Sequence, residues 1–155
     1  MHRLVVFLLA LFLISCGGDG KSIKFPAGLY KSNCFDNGSG GSVDQTIEIS
    51  SDFNTTTTIQ SDYTSADCTG TGVQTPPEVD NNAALNFSNE DLGGGVSYFT
   101  AKDDQGDDEY TPFLFENGVV YLGGDVVDIS NGAKNVFATF IADPKGTSEV
   151  ALTKQ

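Results

Sequence analysis

From Phe25 onward no stretch of the chain sustains a helical period. Short runs rich in Thr, Val, Ile, Tyr and Phe recur instead, each cut off by Gly, Asn, Asp or Pro. That punctuation leaves little room for anything but antiparallel β-structure. In DQTIEIS (44–50), Ile47 and Ile49 alternate with Thr46, Glu48 and Ser50, the period of a half-buried strand. TTTTIQSDYT (55–64) follows a turn at SDFN and is expected to pair with it as a hairpin.

AGLYKSNCF, AALNFS, GVSYFTAKD, EYTPFLFE, VVYLGG, NVFATFIA and EVALTKQ bring the expectation to about nine strands. Asn117-Gly118 marks a type I′ hairpin turn. SNEDL (88–92) predicts one helical turn capped by Ser88. GTGVQTPPEVDNN, with Pro76-Pro77, reads as a long loop at the rim, because consecutive prolines do not sit in a central strand. Phe113, Phe115, Val120, Leu122, Phe137, Phe140 and Ile141 are enough large apolar residues for one core. Sequential hairpins at this spacing predict an antiparallel up-and-down barrel of eight or nine strands, with a β-sandwich as the alternative.

The N-terminus carries a different message. Met1-His2-Arg3 is a short basic start and Leu4 to Ile14 an uncharged apolar run, the n- and h-regions of a secretory signal. At about 1.5 Å per residue the run covers only about half of a bilayer's ~30 Å core, so it is too short to span. Leu13-Ile14-Ser15-Cys16 resembles the lipobox of bacterial lipoproteins. The resemblance implies cleavage before Cys16, palmitate-type acylation of its sulfur and a further acyl chain on the new amino group. An ordinary thiol after a conventional cleavage site is the alternative. Gly17 and Gly18 stand where many lipoproteins retained on an inner membrane carry aspartate, which by the same resemblance favours the outer membrane. The expected organisation is a signal at 1–15, a lipidated N-terminus and flexible tether at 16–24, and one β-domain at 25–155.

Loss of residues 1–15 removes the sole histidine and the sole arginine, leaving seven lysines against 21 acidic residues, 7 − 21 = −14. Such charge with no basic stripe argues against nucleic acid as a partner and against an electrostatic hold on anionic lipid. Once Cys16 is set aside, Cys34 and Cys68 remain as an even pair in an oxidising compartment, read as a disulfide. Two free thiols or a metal pair are the alternatives, the latter short of zinc's usual ligands without histidine.

Gly28 and Tyr30 near the start, with Lys154 in the last predicted strand, resemble the lipocalin and wider calycin pattern of a glycine and an aromatic ring in the first barrel strand beneath a basic side chain from the end. Tyrosine stands for that family's tryptophan and lysine for its arginine, and the family's later threonine-aspartate-tyrosine turn has no match in place. The resemblance implies an eight-stranded barrel able to hold a small apolar ligand, which eight strands admit when interior side chains are small. Gly28, Tyr30, Cys34, Tyr63 and Cys68 also follow the order found in a group of small bacterial lipoproteins, which implies a disulfide-linked β-domain and no catalysis.

Without a mature histidine there is no Ser-His-Asp or Cys-His constellation. Gly-x-Ser-x-Gly, Ser-x-x-Lys and the phosphate-cradling lysine loop are absent too. Asp103, Asp104, Asp107, Asp108 and Glu109 crowd one predicted hairpin loop around Gly106 and form a candidate calcium site, although the EF-hand register is not met. A solvated acidic turn that discourages edge-to-edge aggregation is the simpler reading. The expectation is a non-enzymatic binding or interaction module, lipid-anchored in the bacterial envelope. Its partner would be an envelope protein or a small apolar ligand, and a carboxylate- or calcium-dependent hydrolase is the remaining alternative.

Overall fold

The computed structural model describes residues 23–80, 84–103 and 105–155. Its strands are β1 (Gly28–Ser32), β2 (Phe35–Asp36), β3 (Ser42–Ile49), β4 (Thr56–Tyr63), β5 (Val73–Gln74) and β6 (Glu78–Asp80), then β7 (Asn86–Phe87), β8 (Val96–Lys102), β9 (Asp108–Glu116), β10 (Val119–Leu122) and β11 (Val150–Lys154). Two short helices, α1 (Ala133–Val136) and α2 (Ala138–Ala142), lie between β10 and β11. All pairings are antiparallel and join one 11-stranded sheet in the order β5-β4-β3-β1-β11-β10-β9-β8-β7, with β2 beside β3 and β6 beside β4.

The all-β, antiparallel expectation holds, and the sheet is not closed into a barrel. Its order follows the chain from hairpin to hairpin, and the first strand pairs with the last, Tyr30 opposite Lys154. Among the described residues the ladder is missing only between β5/β6 on one edge and β7 on the other. The two edges approach at one end, where the Leu85 N–H donates to the Phe53 carbonyl at 2.8 Å and the rings of Phe53 and Phe87 lie 5.0 Å apart. Strands of two and three residues are too short to zip the seam. Pro76 and Pro77 also interrupt the edge strand that would have to do so, since proline has no N–H to give a ladder.

The turns fold as their residues require. Ser51 to Asn54 connect β3 to β4, whose register runs from Ile49 opposite Thr56 to Ser42 opposite Tyr63. Asn117 and Gly118 both take positive φ, 53° and 82°, as a type I′ turn demands. Three local expectations are corrected. NVFATFIA is helical: Ala133, Val136, Phe137, Phe140 and Ile141 fall at helical spacing and bury one stripe, which outweighs the β-propensity of Val, Phe and Ile. SNEDL forms no helical turn. It runs extended along β8, with Ser88 N–H bonded to Tyr98 O, Leu92 N–H to Val96 O, and the Ser97 hydroxyl to Glu90 O. The stretch at 70–82 is more than a loop, because β5 and β6 both pair with β4 on either side of the two prolines.

Strand alternation divides the large apolar residues between two faces. On the inner face Tyr30, Ile49, Phe99, Phe113, Val120 and Leu152 surround Phe25, which is 2% exposed. Phe25 meets the rings of Tyr30, Phe87, Phe99 and Phe113 edge-on at 5.0–6.1 Å, the arrangement favoured by ring quadrupoles. On the outer face of β8 to β10, Phe137 and Phe140 pack with Leu92, Val96 and Ala133 against Tyr98, Leu114 and Tyr121. The seven residues expected to share one core are thus split: Phe113, Phe115, Val120 and Leu122 belong to the inner cluster and Phe137, Phe140 and Ile141 to the outer. Gly123 lets the helices sit this close, because a Cβ there would lie 2.7 Å from the Phe140 ring and 2.8 Å from Pro112.

Phe25→Ala removes the ring that the inner cluster closes around. It should cost about 3–5 kcal/mol, the usual range for a buried aromatic truncated in a packed core. Urea unfolding followed by circular dichroism checks this, and a midpoint near the parent's would show that Phe25 is not central to the core.

Candidate functional site

Cys34 and Cys68 form the expected disulfide, with Cα atoms 5.9 Å apart. Local backbone chemistry brings them together. The strand that begins as β1 breaks at Asn33 before resuming as β2, and side chains take over the ladder at the break. Ser32 Oγ accepts the Gln45 N–H at 2.8 Å, and Asn33 Oδ1 accepts the Ala151 N–H at 3.0 Å. From the other side, Ser42 is fully buried; its hydroxyl donates to Ser65 O at 2.7 Å and accepts the Cys68 N–H at 2.8 Å. Ser42 therefore pins the loop that presents Cys68.

Next to this bridge, on the outer face of β1, β3 and β4, lies the buried carboxylate of Asp44, 6% exposed in its side chain. Lys31 Nζ reaches it at 2.9 Å and the Tyr63 hydroxyl donates to it at 3.1 Å. The hydrogen bond to Asp44, and then its charge, raise the Lys31 pKa above the ordinary 10.5. Tyr30, wholly buried, donates its hydroxyl to the Pro26 carbonyl, and burial raises its pKa above the ordinary 10.0.

The acidic hairpin loop is occupied with its own turn. Asp103 Oδ1 accepts the N–H groups of Gln105 and Asp107, each at 2.8 Å, and the Asp103 carbonyl accepts the Gly106 N–H at 3.0 Å. Asp108 pairs with Lys102 at 2.6 Å. Asp104 lies outside the described residues, as does Cys16. Among the described residues no three His, Cys, Asp or Glu side chains are grouped to hold a metal ion.

A polar groove that the sequence reading did not single out opens on the inner face of β3 and β4. Ile47 and Ile49 point into the Phe25 cluster. Gln45, two residues earlier on the same strand face, does not, and Gln60 directly opposite it and Thr58, its diagonal neighbour opposite Ile47, are polar as well. With Thr75, Pro76 and Glu78 from the broken edge strand they line an open cavity of about 230 Å³. The Gln60 side chain donates Nε2 to Asp62 Oδ1 at 3.0 Å. Because a carboxylate only accepts, this fixes the amide with Oε1 as the free acceptor. Thr75 is held by its N–H to Gln60 O at 2.9 Å. The signal was present in the alternation: continuing the inward parity of Ile49 and Ile47 back to Gln45, and across the SDFN turn through Thr56, Thr58, Gln60 and Asp62, gives a polar run that ends at the buried Val43 opposite Asp62.

A second, shallower pocket of about 170 Å³ lies where α1 and α2 meet β9 and β10, lined by Pro112, Gly123, Phe137, Phe140 and their neighbours. Neither pocket brings two carboxylates together. Tyr30 and Lys154 stand opposite each other on β1 and β11, with Lys154 Cε 3.6 Å from where a Gly28 Cβ would stand and the Tyr30 ring buried in the inner core. No protein-family model, curated protein or solved structure matches the chain.

Two predictions follow from these contacts. Replacing Cys34 and Cys68 together by alanine should lower stability by roughly 3–4 kcal/mol, the loop-closure value for a bridge of this span. Equilibrium denaturation of the double variant measures it. The second concerns alkaline pH. Tyr30 and Lys31 both have folded-state pKa values raised above their ordinary 10.0 and 10.5. Each favours its protonated form in the folded chain, so its contribution is complete below those values and is lost as pH rises through the higher folded ones. The melting temperature should therefore decline above pH 10.0. Tyr30→Phe should make that decline shallower, and identical alkaline slopes in the two proteins would remove Tyr30 from the account.

Proposed function

We propose that the chain is a lipid-anchored protein of the bacterial envelope, sorted to the outer membrane, whose β-domain is a non-enzymatic binding or interaction module. The observation that carries this is the junction between anchor and fold. The lipobox-like Leu13-Ile14-Ser15-Cys16 is followed by small polar residues and then by Phe25, already at the centre of the inner core. The eight residues between Cys16 and Phe25 reach at most about 30 Å, which would hold the domain close to a membrane surface. The Cys34–Cys68 bridge suits an oxidising compartment.

The rival activities have less support. A hydrolase of the carboxylate type would use two converging acids, and the two pockets offer at most one, Glu78. An apolar-ligand carrier would keep the interior open, whereas the rings of Phe25, Phe87, Phe99 and Phe113 occupy it. Recruitment of a partner strand by a sheet edge would use a long uncharged edge. The β5/β6 edge is short, split by Pro76 and Pro77, and carries Glu78 and Asp80. We read the sheet itself as a calycin-like barrel with one seam left unzipped, a reading supported by the pairing of the first strand with the last.

Intact mass of the protein extracted from membranes, with and without reduction before thiol alkylation, tests the proposal. The expected mass is that of a triacylated chain beginning at Cys16, with no alkylation until reductant is added. Cys16→Ser should move the protein from the membrane to the soluble fraction. An unacylated mass, or a parent protein that is already soluble, would overturn the anchor.

A further inference from the structure

We infer that the groove formed by Gln45, Thr58, Gln60, Thr75, Pro76 and Glu78 binds a small amine-bearing sugar. This rests on the reading of the domain as a binding module and names the chemistry of its ligand. Inward-facing positions of a sheet are ordinarily filled by apolar side chains that pack, and on β8 to β11 most of them are, Phe99, Phe113, Phe115, Val120, Leu122, Val150 and Leu152 among them. On β3 and β4 the same face turns polar over Gln45, Thr58 and Gln60, where the seam leaves it uncovered. Among the described residues the side chains of Gln45, Thr58 and Glu78 make no hydrogen bond or ion pair, whereas those of Ser42 and Asp44 on β3 and of Asp103 in the β8–β9 loop are engaged. Three polar groups thus converge on one cavity with their hydrogen-bonding capacity unused.

What they present selects the ligand. Gln60 offers an acceptor oxygen fixed by the bond of its nitrogen to Asp62, and Glu78 offers a carboxylate. Thr58 and Gln45 can both donate and accept. An acceptor-rich set of this kind matches a molecule dense in O–H donors that carries one positive charge. The Pro76 ring adds an apolar patch for a C–H face, and the cavity of 230 Å³ falls below the ~300 Å³ at which pockets for larger organic ligands begin. A single amino-sugar ring fits each of these conditions. A neutral hexose leaves the Glu78 carboxylate without its counter-charge, and a linear diamine leaves the amides and hydroxyls without partners.

The test is a titration of the purified full-sequence protein, isotope-labelled, with glucosamine, glucose and putrescine, read by NMR at the side-chain amides of Gln45 and Gln60. Glucosamine should give saturable shifts there, while glucose and putrescine should give weaker ones. Glu78→Gln should weaken glucosamine binding about fivefold, the upper range for an exposed ion pair. Thr58→Val, which replaces a hydroxyl by a methyl of the same shape, should weaken it as well. Absence of shifts at the two amides, equal shifts with putrescine, or shifts confined to the acidic turn at 103–108 would each overturn the assignment. Binding is read whether or not Cys16 is acylated, so failure of the sugar site and failure of the anchor give separate results.

Discussion

The burial of one ring, Phe25, against the inner face of an antiparallel sheet is the contact on which the rest of the arrangement depends. It lies ahead of β1 in the chain, yet it touches aromatic residues from β1, β7, β8 and β9. No ladder joins β6 to β7 among the described residues, so the two halves of the sheet are held across that seam mainly by side chains. Edge-to-face contacts of Phe87 with Phe25 and Phe53 do part of this, the Leu85 N–H to Phe53 carbonyl hydrogen bond adds a backbone contact at the near end, and Lys24 Nζ lies 5.7 Å from the centroids of both the Phe53 and Phe87 rings. A non-directional apolar contact tolerates an irregular seam in a way that a ladder, with its fixed register, does not.

Covering the outer face follows from the same economy of elements. With β8 to β10 buried inside by phenylalanines, their outward residues Tyr98, Leu114 and Tyr121 are still too apolar to face water together, and α1 and α2 lie over them. The bare Cα of Gly123 sets the distance at which Phe140 docks. On the β1, β3 and β4 side no helix lies among the described residues, and the outer face is polar instead: Asp44 is paired with Lys31 and accepts a hydrogen bond from Tyr63, and the Ser42 hydroxyl is satisfied by Ser65 O and the Cys68 N–H of the disulfide loop. One sheet is thereby finished in two different ways, by packing at one end and by satisfied polar contacts and a covalent bridge at the other. A removed partner would be felt more at the second end, where a buried carboxylate would be left short of a donor.

Much of this was legible in the sequence where local chemistry decides the outcome. The β3–β4 hairpin could be read from the alternation of Ile47 and Ile49 and from the SDFN turn, the Asn117-Gly118 turn from its two residues, and the Cys34–Cys68 bridge from the even pair that remains once Cys16 is set aside. The helices at 133–142 were legible too, in the spacing of Ala133, Val136, Phe137, Phe140 and Ile141, but β-branched and aromatic residues masked the period. Pro76-Pro77 pointed away from a strand and was right for those two positions. What it could not tell is that short runs on either side would still find β4, because edge pairing of two or three residues is decided by the neighbour and not by propensity. The groove was illegible for a similar reason. Gln45, Thr58 and Gln60 look like solvated positions until the register puts them on the same face as the core.

The seam and the groove are one feature seen from two sides. Had the edge strand run unbroken from Val73 to Asp80 and zipped onto β7, the inner face of β4 would have been enclosed. Thr58, Gln60 and Gln45 would then be buried polar groups in need of partners, at a cost of roughly 1–3 kcal/mol for each left unmatched. The two prolines prevent that closure and keep these side chains in contact with solvent, and Glu78 beyond them puts a charge at the rim. The same break protects the molecule from itself. An exposed edge invites another copy to add its own strand, and a short edge with prolines and carboxylates offers too few consecutive N–H groups for that addition. An opening that admits a small polar ligand and refuses a β-strand therefore needs only the sequence that is there, Thr75-Pro76-Pro77-Glu78, laid along a strand whose inward face is already hydrophilic.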